Sequence, residues 1–111
     1  MKNKLKIVAI SMLCVTQVVI AKEMTNPINV TYLGGDGSSI EQAIIIKGAP
    51  NEHVGVSSEY KWLHGRYPLF KKKAQSLLPR SDRYYDKLEI ILGTGEVKSI
   101  FFDITEYFGK F

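Results

Sequence analysis

The stretch from Arg83 to Ile104 constrains the fold more than any other part of the chain. Leu88, Ile90 and Leu92 share one parity, with Lys87 and Glu89 on the other. Further on, Ile100, Phe102 and Ile104 share a parity, with Ser99 and Asp103 opposite. Side chains alternate across a strand, so a period of two predicts strands with one buried and one wet face. Gly93-Thr-Gly-Glu96 lies between the two runs, and its glycines permit the positive φ that a tight hairpin loop needs. A C-terminal β-hairpin is the anchor of the reading.

The first residues read as an address. Lys2, Lys4 and Lys6 precede an apolar run, Ile7 to Ile20, and Val19-Ile-Ala21 offers a signal-peptidase site. This is the layout of a cleavable secretory signal peptide over 1–21, which predicts a periplasmic or secreted product. The competing reading is a retained anchor, but the run is shorter than the roughly 20 apolar residues a spanning helix needs. Lipidation at Cys14 is a further alternative, disfavoured by bulky Leu13 before it.

Cleavage changes what the charge means. The chain has 15 basic and 11 acidic residues, +4 in all. Three of the lysines lie in the signal, which leaves 12 against 11, or +1. That balance gives no reason to expect nucleic acid or an anionic membrane as partner, and with the signal removed no stable membrane insertion is expected. About 90 residues remain, enough for one small domain over 22–111. Cys14 is the one cysteine, so the mature domain is cysteine-free. A thiol nucleophile, a thiolate metal site and a disulfide staple are excluded from it. Its core must come from packing, and its aromatic residues supply the material.

Along the chain, Lys22 to Pro27 is polar, and Ile28 to Leu33 alternates as a first strand. Gly34 to Ser39 is glycine-rich but lacks the lysine and spacing of a phosphate loop, so it reads as a turn. Ser38 and Glu41 have capping-box spacing and could open a short helical turn; Asp36 could cap it instead. Ala43 to Lys47 reads as a short buried strand.

Asn51 to Arg66 reads as a helix. Asn51 is a good N-cap, Glu52 suits the first turn, and Pro68 stops it. Val56, Tyr60, Leu63 and Tyr67 form its expected apolar stripe, with Trp62 on the flank. Leu69 to Leu78 reads as an extended segment leading to a loop at Pro79 to Asp82. The tail, Glu106 to Phe111, keeps three aromatic residues and should dock on the domain.

Few residues suggest chemistry. His53 and His64 lack HExxH spacing, and no serine sits in a nucleophile elbow, so no metal, cofactor or catalytic residue is assigned. Asp86, Glu89 and Asp103 could in principle form a carboxylate pair, but such a pair needs a cleft, and charges on the wet face of a hairpin are the ordinary explanation. Lys71, Lys72 and Lys73, with Arg80 and Arg83, form the one charge cluster. It reads as a solvated edge that discourages strand pairing, or as an anionic-ligand site. The surface singled out for a partner is Trp62, Tyr84, Tyr85, Lys71, Lys72 and Lys73.

Several of these segments carry a resemblance. Gly35 to Ile46 (GDGSSIEQAIII), the helix ending in Tyr67-Pro68, Tyr85 to Ile90 (YDKLEI) and Phe101 to Thr105 (FFDIT) resemble an uncharacterised family of small exported bacterial proteins. The resemblance spans nearly all of the mature chain and implies export without implying an activity. In layout the chain is also similar to PepSY-type modules, through Tyr67-Pro68, Tyr85, Gly93/Gly95 and Phe102-Asp103. Such modules restrain proteases outside the cytoplasm, but their Asp-x-x-x-Gly close is not present here in clear form.

The expectation is one α+β domain, a helix packed on a mainly antiparallel sheet of four or five strands. Three functions are consistent with it. The leading one is a non-catalytic module that binds an envelope or secreted protein, as an inhibitor or immunity-type protein. The others are a small envelope enzyme using surface carboxylates, and a small-ligand-binding protein using Trp62 and Tyr84/Tyr85.

Overall fold

A computed structural model describes residues 28–111; the expected signal segment and its cleavage point after Ala21 lie outside the described residues. Five strands and one helix follow one another: β1 (Thr31–Gly34), β2 (Ile44–Lys47), α1 (Glu52–Arg66), β3 (Lys71–Arg80), β4 (Arg83–Ile91) and β5 (Val97–Asp103). The strands form one sheet in the order β1-β2-β5-β4-β3. All neighbours are antiparallel except β2 and β5, which pair in parallel through Ile44 with Phe102 and Ile45 with Asp103. This is the expected α+β architecture.

The hairpin of β4 and β5 is regular. Asp86 faces Phe102, Leu88 faces Ile100, and Ile91 faces Val97. Gly93 to Glu96 closes it, with Leu92 N–H donating to the Glu96 carbonyl and Gly95 at a φ of 90°. Leu88, Ile90, Ile100, Phe102 and Ile104 are buried on one face, where Ile44 and Ile46 of β2 join them. Burying each such side chain is worth about 1.5–3 kcal/mol, so this face is the main source of stability. Trp62 of α1 is half-buried and stands edge-on to Phe102 at 5.7 Å.

Helix α1 begins and ends where its caps dictate. Asn51 is its N-cap, its side-chain oxygen accepting from Val54 N–H at 3.0 Å, and Tyr67 N–H closes the far end on the Leu63 carbonyl. Its buried face matches the expected stripe only in part: Leu63 is buried and Tyr60 and Tyr67 pack against the core, but the first turns differ. Gly55, Ser58, Glu59 and Leu63 are buried, while Val56 is 37% exposed. The reason is the tail. The Tyr107 ring lies directly on Gly55, and α1 turns its small and polar residues toward it.

Three other expectations are corrected. Ser38 opens no helical turn; Asp36 instead accepts from the Ser38 N–H (3.0 Å) and hydroxyl (2.6 Å), forming a local turn. The loop at Pro79 to Asp82 shrinks to Ser81-Asp82, because β3 runs on through Arg80. Asp103 lies on the expected side of β5, away from the core, but is 3% exposed there and not solvated, since Arg83 and Thr105 enclose it.

Candidate functional interface

The helix covers only one side of the sheet. The register aligns a row across all five strands on the other side: Leu78, Tyr85, Asp103, Ile45 and Leu33. Phe101 and Lys87 form the adjacent pair, with the Lys87 ammonium 6.0 Å from the Phe101 ring centroid. Ile91 and Val97 continue the same face. Leu33 is 54% and Val97 47% exposed, and Tyr85, Phe101, Ile45, Ile91 and Leu78 are half-buried. None of these belongs to the core cluster or packs against it. Among the described residues, no second layer covers this face.

One ion pair sits in the row. Arg83 grips Asp103 through Nε at 2.8 Å and through its terminal nitrogen at 2.7 Å. The other oxygen of Asp103 accepts from the Thr105 hydroxyl (2.6 Å) and amide (3.1 Å). The hydrogen bond and charge of Asp103 raise the pKa of Arg83. Arg83, Tyr85 and Asp103 line a shallow groove with Ile40, Glu41 and Ile45. It has a charged floor and apolar walls.

Strand β3 bounds the face and is one of the two outer strands of the sheet, β1 being the other. It pairs with β4 alone, and all of its residues but Ala74 and Leu78 are exposed. At 10 residues it extends about 33 Å, with one irregularity between Lys72 and Ala74. Lys71, Lys72, Lys73 and Arg80 lie on it without an acidic residue. None of the four forms an ion pair among the described residues; Lys72 reaches only the Gln75 side chain.

The residues singled out from sequence are thus dispersed. Tyr85 lies on the open face and Lys71 to Lys73 lie on its border. Tyr84 points to the opposite side, stacked on Phe108 at 4.2 Å. Trp62 belongs to the helix layer and lines a separate shallow groove with Tyr32, Lys61 and Arg66. The three carboxylates do not converge either. Asp86 faces the helix, whereas Glu89 and Asp103 face away, four residues apart by register and so about 13 Å.

The carboxylate that does approach Asp86 is Glu59, which the sequence reading passed over because it lies mid-helix. It is 1% exposed, and one of its oxygens accepts from the Tyr107 hydroxyl at 2.5 Å. The other has no hydrogen-bond partner. Asp86, 5% exposed, accepts from Gln75 Nε2 at 3.2 Å. Burial, and then the neighbouring Asp86 charge, push the Glu59 pKa up to about 9. Glu59 is therefore protonated at neutral pH, and burial likewise raises the Tyr107 pKa. Among the described residues, neither Glu59 nor Asp86 forms an ion pair.

His53 lines a groove beside β1, and His64 packs against Phe70 at 4.8 Å, so the two stay at opposite ends of α1. Among the described residues no group of three metal-capable side chains occurs, and no helix is long and apolar enough to cross a membrane. Comparison with protein-family models, with curated proteins and with solved structures finds no match.

Proposed function

We propose that this chain is a non-catalytic protein-binding module, exported to the periplasm or beyond, where it acts as an inhibitor or immunity-type protein. The observation that carries the reading is the uncovered sheet face. A row of apolar side chains spans five strands there, interrupted by one ion pair between buried Asp103 and exposed Arg83. Contiguous apolar surface of this kind marks interaction sites, whereas scattered apolar residues do not. Apolar and aromatic side chains around a central ion pair, with lysines on the bordering strand, give this face the mixed composition of a protein interface. Export is supported by the basic and apolar N-terminal sequence, and by the resemblance to small exported bacterial proteins and PepSY-type modules.

The test is capture from crosslinked envelope and secreted fractions, comparing the native chain with Tyr85→Lys/Phe101→Lys. A partner recovered stoichiometrically by the first and lost by the second supports the reading. Recovery by both chains alike, or by neither, contradicts it. The enzyme reading through Asp86, Glu89 or Asp103 has less support. Asp86 and Asp103 are enclosed, and Glu89 lies about 13 Å from Asp103, the other carboxylate on its face. A ligand site at Trp62 is supported only by the shallow groove that it lines. Quenching of Trp62, the sole tryptophan, by a metabolite would favour it.

A further inference from the structure

We propose that β3 is a docking edge: an acidic, extended segment of the partner adds to it as a sixth strand. The proposal rests on the protein-binding reading and names the chemistry of the partner. An outer strand exposes a row of unpaired N–H and C=O groups, which another strand can satisfy. On β3 the regular part is short. The irregularity between Lys72 and Ala74 ends it on one side. Pro79, which has no N–H to give, ends it on the other. Between them lie Ala74, Gln75, Ser76, Leu77 and Leu78, all uncharged.

The charges sit at the two ends of that window. Lys71, Lys72 and Lys73 precede it and Arg80 follows, with no acidic residue on the strand. This pattern excludes a second copy as the occupant. Antiparallel self-pairing about the window sets the lysines against Arg80, and parallel pairing sets lysine against lysine, both repulsive. The complement is a strand with acidic residues at its ends and a short uncharged middle. Leu77, 45% exposed on the helix side, and Leu78 on the open side offer an apolar contact on each face of the added strand. Lysines that repel most strand edges and attract an acidic one also provide selectivity.

The experiment is a backbone amide NMR titration of the full chain with three synthetic nonapeptides. The first is Glu-Glu-Val-Thr-Val-Thr-Val-Glu-Glu. The second carries lysine in place of each glutamate. The third is the acidic peptide N-methylated at alternate residues so that one edge cannot pair. The expected result is that the acidic peptide shifts amides of Lys71–Arg80 and binds at least tenfold more weakly in 500 mM than in 50 mM salt. The lysine and N-methylated peptides should bind at least tenfold more weakly. Lys71→Glu/Lys72→Glu/Lys73→Glu should reverse the preference, and these exposed positions leave the core untouched.

Absence of binding by the acidic peptide, shifts confined to other elements, or equal binding of all three peptides would overturn the proposal. The two readings fail separately. A partner captured through Tyr85 and Phe101 that still binds the charge-reversed chain refutes the β3 edge and leaves the binding module intact. Specific strand addition to β3 without any captured partner does the reverse.

Discussion

Glu59 is the residue with the largest measurable consequence. Its carboxyl is uncharged in the folded protein up to about pH 9, whereas in the unfolded chain it ionises near 4.5. Between those values the folded state holds a proton that the unfolded state has released. Stability therefore falls as pH rises from about 4.5 to about 9, by roughly 1.4 kcal/mol per pH unit from this group alone. The charged group facing it, Asp86 on β4, is acidic and cannot neutralise it. Urea unfolding at pH 5, 6, 7 and 8 should show the native chain losing stability along this series. Glu59→Gln should flatten the slope by about one proton; an unchanged slope would refute the assignment. A second residue-scale prediction concerns Ser81, which turns the β3–β4 hairpin at a φ of 55°. Glycine adopts that conformation without the Cβ penalty, so Ser81→Gly should raise stability by up to about 1 kcal/mol in the same assay.

At the scale of elements, the hairpin, the helix ends and the two short N-terminal strands were legible because their signals are local. Alternation specified β4 and β5, and Asn51 and Pro68 specified α1. The orientation of α1 was legible in its second half, where Tyr60, Leu63 and Tyr67 meet the core, but not in its first turns, which are set by a residue far away in sequence. Tyr107 demands a residue without a side chain at position 55 and a hydrogen-bond acceptor at 59, and no periodicity announces either. The tail is held further by Glu52, whose side chain accepts from Gly109 N–H and whose amide donates to the Lys110 carbonyl, both at 2.7 Å. Adding a methyl group at Gly55 drives it into the Tyr107 ring. Gly55→Ala should thus destabilise the protein by about 1–3 kcal/mol, despite alanine's better helix propensity. Hydrogen exchange should show the loss centred on 104–110. A stabilised Gly55→Ala variant would mean that the tail does not pack on α1.

At the scale of the whole molecule, the division between a covered and an uncovered side organises the account. Sequence alternation marked both sides of β4 and β5, but strand order was hidden. The row from Leu78 to Leu33 therefore emerges only when β2 inserts in parallel beside β5. Alternation along β4 separates Tyr84 from Tyr85, and α1 holds Trp62 against Phe102 in the helix layer. A partner surface composed from all three was thus beyond what composition could place. The lysines were visible as a cluster, and their position on an unpaired edge was a matter of topology.

The most direct measurement of the central claim is a hydrogen-exchange footprint of the captured complex against the free chain. The account predicts new protection along β3 and at Tyr85, Lys87 and Phe101, with the outward face of α1 (His53, Ser57, Lys61, His64) unchanged. Protection concentrated on α1, with β3 and the open face exchanging as in the free chain, would contradict it.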